Sequence, residues 1–416
     1  MQAINSVNFT KKHFRITDFK AITQDYQDVI IQKDGIYSGY GGVQSSYSID
    51  ASRVERLYRV GNRFFAYLLD GSLCELSTSG IKNQLKTSMP PEVIEIIYQG
   101  EKRVLVAGKD MHILTDNVYE KVQDAPTCEQ IIFHNGRLFT ANNSSITYSG
   151  LFDMDNHTTI FSGGGSINLA ISSGMVVGFF EQDNKLYVIC QNAVYRLTAV
   201  GEGIDFKLEK LPVPSIEVES GTFCALFNAC LFVSKGKIYS LKNAKVSCVC
   251  SLPKTFDGCQ FYNAAAMQDV YLLGVEKENE NFIYAYDYLS GAESIISVGC
   301  SAVAKDGYII DKSNRIRRLD LLGSYFGILK YQSQPLNFDS LHKKTVFSVC
   351  AFVGSRCELV LSSDYGQVTL TLKKGYNRRK INLDGNEFTF TINNAGSGFC
   401  LSELRLDYAN RGNYAI

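Results

Sequence analysis

The sequence predicts an all-β protein, a β-propeller of six or seven blades with a small C-terminal β-sandwich, and three observations carry that expectation. A two-strand motif recurs along most of the chain. The composition suits half-buried pleated surfaces: 12% of the 416 residues are aromatic, with 24 Tyr, 25 Phe and only 7 Pro. Beyond residue 330 the texture changes, which divides the chain into an expected propeller at 1–330 and a sandwich at 331–416. The length exceeds one ordinary core and leaves room for both.

The recurring motif is a short apolar, aromatic-rich strand, a polar turn, and a second strand of the type apolar-Tyr-x-Leu. The first copy is Arg63-Phe64-Phe65-Ala66-Tyr67-Leu68, then Asp70-Gly71, then Leu73-Cys74-Glu75-Leu76. Further copies begin at Arg103, Arg137, Lys185, Cys230 and Val270, and Gly307-Tyr308-Ile309-Ile310 opens a final one. Successive starts lie about 34 to 48 residues apart, the period of a four-stranded propeller blade. One small sheet cannot bury both faces, but a closed ring of sheets can, and closure leaves few free edges. The inner two strands of a blade should then be apolar throughout, as Leu186 to Cys190 is. Outer strands should alternate, as Val54 to Val60 does loosely. Two packed β-sandwiches would also give many short strands, and residues 10–50 could complete a blade closed by both ends of the ring.

After residue 330 the expected strands are Thr345 to Val353, Cys357 to Ser362, Gln367 to Leu372, Phe388 to Ile392 and Phe399 to Tyr408. In the last of these, Leu404 and Leu406 alternate with charges, the mark of a half-exposed strand.

Lys+Arg and Asp+Glu balance at 42 each, so no net field recruits nucleic acid or an anionic membrane. Met1 to Asp18 carries Lys11, Lys12 and Arg15 and no apolar core, which reads as no export signal. No apolar run approaches a bilayer span. Twelve cysteines sit mostly in apolar strand-like runs, as Cys190 does, and are read as free thiols of a reducing cytoplasm. Trp is absent, which speaks against a propeller that stacks sugars on Trp.

Candidate chemistry is sparse. His13, His112, His134, His157 and His342 are scattered without metal-ligand spacing, and Cys248-Val249-Cys250 is too tight for a standard zinc or redox motif. Gly39-Tyr40-Gly41-Gly42 and Gly163-Gly164-Gly165-Ser166 lack the Lys-Ser/Thr ending of a phosphate loop and open no helix, so they read as turn glycines. Ser362-Ser363-Asp364-Tyr365-Gly366 fits the core of the sialidase Asp-box, where Asp364 would bind backbone amides and Gly366 would supply a positive φ. Asp153 and Asp155 form a carboxylate pair with too few oxygens for calcium. Lys373 to Lys380 is a basic run, read as a solvated turn or a phosphate-contacting hairpin. No catalytic, cofactor-binding or metal-binding residue is assigned. The expectation is a protein that is not an enzyme and needs no cofactor.

One stretch carries a family flavour: Arg137-Leu138-Phe139, Thr147-Tyr148-Ser149-Gly150, Phe152-Asp153, Ser162-Gly163-Gly164, Ile167-Asn168-Leu169, then Ala193-Val194-Tyr195-Arg196-Leu197. It resembles the β-propeller structural proteins of tailed bacteriophages and prophages, found at the head–tail connector or tail hub. The resemblance implies a virion structural protein made in the bacterial cytoplasm. Its partners would be portal, connector or tail components, and it would form a ring-shaped homo-oligomer in the particle. No membrane is implied, and nothing in the sequence supports contact with DNA. The alternative reading is a carbohydrate-binding or glycoside-cleaving propeller, with aromatics and carboxylates converging at one axial end.

Overall fold

The computed structural model describes residues 12–48, 54–154, 163–201, 205–311, 313, 315–320, 329–393, 395 and 398–411. The chain forms two compact units. One comprises 44–283 and 299–318, the other 1–43, 284–298 and 319–416. This differs from a single cut at 330, because strands find ladder partners without regard to sequence distance.

The first unit is a seven-bladed β-propeller. Blades 1 to 5 span 54–86, 92–121, 130–168, 176–210 and 224–251, each an antiparallel sheet whose four strands follow chain order. Blade 6 contains Gln260–Met267, Val270–Lys277 and Glu280–Asp287; the unit boundary falls within the last of these. Blade 7 runs Cys300–Ala304, Tyr308–Asp311 and Arg315–Asp320, and takes Gly41–Ser48 as its outer strand. A segment from the start of the chain therefore completes the last blade, as the sequence allowed.

All seven motif copies fall on the second and third strands of their blades. The second strands are buried along nearly their whole length, as in Lys185–Cys190 and Cys230–Ser234. Their apolar side chains fill the space between blades. Phe65, Tyr67 and Leu73 of blade 1 pack with Val93, Val104 and Leu114 of blade 2. Phe139 and Ile146 of blade 3 meet Leu186 and Tyr195 of blade 4. Val54, Phe64 and Leu76 of blade 1 close on Ala302, Ile310 and Ile316 of blade 7. Polar bonds also join neighbouring blades: Tyr271 Oη of blade 6 donates to the carbonyl of Thr222, just ahead of blade 5, at 2.6 Å. Asn281 Nδ2 donates to Cys300 O at 2.7 Å between blades 6 and 7.

Val54–Val60 is an innermost strand, not an outer one. Its loose alternation is therefore not the solvent face of an outer strand. The true outer strands, such as Lys207–Lys210 and Val118–Lys121, are largely solvated.

The second unit is a β-sandwich. In one sheet Cys400–Asn410 pairs with Lys344–Val353, Lys12–Ile16 and Gly35–Ser38, and Gly375–Gly385 lies beyond Lys344–Val353 at the edge. The other sheet has the order Thr23–Gln27, Lys330–Ser333, Phe388–Asn393, Cys357–Ser363, Gly366–Leu372. The five strands expected beyond 330 are all present within a residue or two. Lys373 and Lys374 of the basic run lie in the connection before the strand, but from Gly375 onward the run is a strand, with Asn377 and Leu383 turned inward and buried. Phe338 stacks between the layers, 5.1 Å from Phe388 and 4.9 Å from Tyr408.

Gly39 shows why a glycine cluster sits where it does. A Cβ there would lie 2.5 Å from the carbonyl carbon and oxygen of Asp28, a contact that backbone cannot relieve. Gly39 N donates to that same carbonyl at 2.9 Å. Gly39→Ala is therefore expected to lower unfolding free energy by about 2 kcal/mol or more, read from the urea midpoint. An unchanged midpoint would show that the approach is not required.

Candidate functional site

Adjacent strands alternate in direction, so the turns joining strands one to two and three to four of every blade share one end of the propeller. The turns joining strands two to three, and the links between blades, share the other end. Both ends expose apolar side chains, and they differ in number. The link-bearing end exposes Leu69, Ile171 and Met175 and carries two clefts, about 340 Å³ beside Lys86, Thr87, Lys109, Asp110 and His112, and about 440 Å³ beside Thr127, Asn142 and Ser144. In the first, Lys121 holds Asp110 at 2.6 Å and lowers its carboxyl below the usual range.

The opposite end presents apolar side chains to solvent. Ile97 and Val118 of blade 2, Leu151 and Phe152 of blade 3, Val200 of blade 4 and Phe227 of blade 5 are all exposed there. Phe152 is 79% exposed and Phe227 84%. Phe152 also holds φ at 53°, a left-handed conformation that bulky residues avoid. Two bonds hold it: Phe152 N donates to Gly136 O at 2.7 Å, and Asp153 N to Gly150 O at 3.3 Å.

Beneath this loop lies Arg137, buried although it is a cation. Its guanidinium donates to the carbonyls of Ser149 (2.8 Å) and Gly201 (3.1 Å) and also to Gly163, and it lies over the Phe206 ring. The loops of blades 3 and 4 are thereby tied to one rigid group. The glycine cluster at 163–165 serves this packing: Gly163 offers a carbonyl to Arg137, and a Cβ on Gly165 would strike Tyr148 Oη at 2.5 Å. Neither glycine cluster opens a helix.

The other candidates fall apart in space. Asp153 is exposed, and Asp155 and His157 lie outside the described residues. His13 and His342 are exposed and His112 half-buried. His134 is buried with Nδ1 at 3.3 Å from Glu181 Oε2. Among the described residues no three His, Cys, Asp or Glu side chains gather as a metal site. Cys248 and Cys250 straddle a register shift in their ladder, so strand alternation does not set them side by side. Asp364 accepts from Asn386 N at 2.8 Å and Asn386 Nδ2 at 2.6 Å, across to a neighbouring turn. Gly366 has φ of 159°, a positive φ as expected.

The inner strands of blades 1 and 2 hold a second polar group that sequence reading missed. Arg56 Nη1 stands 3.7 Å from Glu92 Oε1, and Tyr58 Oη donates to Pro91 O. The Glu92 side chain keeps 29% exposure, yet protein walls it in, and that desolvation raises its carboxyl to about 7 against the pull of Arg56. No local sequence signal marks it, because the environment comes from ring closure. The folded chain thus holds a proton between pH 4.5 and about 7 that the unfolded chain has released, and stability falls as pH rises through that window. Glu92→Gln removes this loss. Its melting temperature should equal the parent's near pH 4 and exceed it at pH 8, and a gap that does not change with pH would refute the assignment.

No protein-family model matches the sequence, and the search of curated proteins gives no match. Among solved structures the chain is similar to PorZ, a bacterial surface component of the type-IX secretion system of Porphyromonas gingivalis. Identity is 10% and the TM-score 0.44, covering 78% of this chain and 46% of that one. It is also similar to BBS1N in complex with ARL6DN, at 10% identity and a TM-score of 0.47, covering 68% and 100%. A third is the computationally designed Ika8 protein, at 12% and 0.37, covering 66% and 99%. The chain spans less than half the length of PorZ. Likeness at these identities concerns the fold alone.

Proposed function

We propose that this chain is a non-catalytic docking protein that binds partner proteins through the end of its propeller that presents Phe152 and Phe227. The observation that carries the reading is Phe152, held at positive φ and left almost wholly in water. Such a conformation costs on the order of 1–3 kcal/mol and persists where the surrounding structure enforces it, most often at functional sites. Arg137 and the carbonyl of Gly136 supply that enforcement. Neighbouring Leu151, Val200 and Phe227 extend the exposed apolar surface across three blades, in the manner of an interface core.

The resemblance to phage propellers gives the reading its narrower form: a virion structural protein at the head–tail connector or tail hub, contacting portal or tail components. A ring of copies would close by repeating one heterologous contact. A sugar-binding role is less well supported, since the apolar loops offer few polar groups to orient a glycan.

The test pairs Phe152→Asn with Phe227→Asn. Asn tolerates the left-handed region, so the double variant should melt at or above the parent temperature. It should nevertheless fail to copurify with assembled particles that contain the parent chain. A variant that is destabilised, or that still enters particles, would make Phe152 a structural residue. A specific hit on a glycan array would move the proposal to the alternative.

A further inference from the structure

We propose that the strand Gly375–Gly385 is a docking edge for an extended acidic segment of another protein, taken up by adding a strand to the sheet. The site lies in the sandwich unit and uses none of the propeller's residues.

The strand is eleven residues long and pairs on one side only, with Lys344–Val353, from Val353 opposite Gly375 to Lys344 opposite Gly385 with a register shift between Ser348–Lys380 and Val346–Leu383. Among the described residues no ladder forms on its other side. Outward N–H and C=O groups along the strand's middle are therefore open to a further strand.

Its charge is as distinctive as its geometry. Lys373, Lys374, Arg378, Arg379 and Lys380 are exposed, and among the described residues none of the five makes an ion pair. Nearby cations do find partners: Lys343 and Arg411 both reach Asp384. The register sets Arg378 and Lys380 opposite Cys350 and Ser348, and Arg379 opposite Val349, so positive charge stands on both faces of the edge. A strand with carboxylates on both faces would meet a cation above and below.

The same charges exclude other occupants. A second copy pairing edge to edge would set cation against cation, and a neutral strand would desolvate them without compensation. Guarding the edge against aggregation would be met by Arg379 alone, an inward-facing charge. Five unneutralised cations exceed that need. A nucleic-acid strand would want several aromatic platforms for its bases, whereas Tyr376 is the single aromatic residue of this strand.

The test uses the full chain and a labelled eleven-residue peptide in which Glu alternates in pairs with Thr and Val. A single-stranded oligothymidylate of equal charge serves as comparison. The peptide should bind and slow amide exchange within 376–382. The R378E/R379E/K380E variant should bind it about tenfold more weakly and should instead take a peptide with Lys in place of Glu. A peptide N-methylated at alternate positions, with charge unchanged, should lose binding. The proposal is overturned if the peptide does not bind, if it binds without amide protection, if the N-methylated form binds equally, or if the oligothymidylate binds as tightly.

Discussion

The structure depends on one constraint: the second strand of each blade is apolar on both faces and must be covered on both. Leu186, Val188 and Cys190 point to one neighbour, while Tyr187 and Ile189 point to the other, and none keeps more than 2% of its surface. A stack of such sheets with two ends would leave two faces wet, each with several large side chains worth about 1.5–3 kcal/mol apiece. A ring has no ends. Closing it requires a seventh sheet that covers both blade 6 and blade 1, and the chain completes that sheet with Gly41–Ser48. The loop-closure entropy of joining distant segments grows only slowly with length, so the apolar gain wins.

Polar groups buried by this closure are satisfied close to home. Glu75 is 3% exposed and accepts two bonds from Arg63 at 2.8 Å and one from Asn83 at 2.6 Å. Burial alone would raise its carboxyl, but those bonds outweigh burial and hold it below the usual range. Asp311 is treated alike by Arg317 and by the amides of Ser313 and Arg315. In the sandwich, Lys344 is fully buried, its ammonium donating to the carbonyls of Ser340, His342 and Asn386. Removing either partner of such a pair would strand the other in a poor solvent, which costs more than the bond itself contributes. These groups fix turns and blade corners; they are positioned for packing.

How much of this was legible follows from the range of the interactions. The blade motif could be read because the second and third strands form a local hairpin, so Arg63 to Leu76 carries its whole pattern in fourteen consecutive positions. In the sandwich, Cys357–Ser363 and Gly366–Leu372 form such a hairpin, whereas Gly375–Gly385 pairs with the distant Lys344–Val353 and its basic residues read as a turn. The assignment of Val54–Val60 to the inner edge was not, since inner and outer strands look alike until the ring shows which side faces the channel. Nor could a sequence show that residues 12–38 join the C-terminal sheets, a pairing across more than three hundred positions such as Phe14 with Leu406. Phe152 was visible as a residue but not as a left-handed one. Glu92 was a charge on a strand until blades 1 and 2 enclosed it.

Ring closure also determines where backbone remains available to a partner. A propeller still leaves an outer strand on every blade: Gly80–Lys86, Lys245–Ser251 and Gly41–Ser48 have seven or eight residues, whereas Val118–Lys121, Gly165–Asn168 and Lys207–Lys210 have four each. On the four-residue edges an added strand would gain few ladder bonds, too few to offset its own ordering. Blades 2, 3 and 4 are thus suited to partners that meet side chains on their loops. The sandwich cannot close, and its sheet ends in a strand nearly three times as long as those four-residue edges, with Asn377 and Leu383 anchoring it inward. Length supplies enough outward backbone groups for pairing, and the cations decide which strands can approach. The two units therefore present two kinds of surface, apolar loops on one and a charged strand edge on the other, each following from whether its sheets can form a ring.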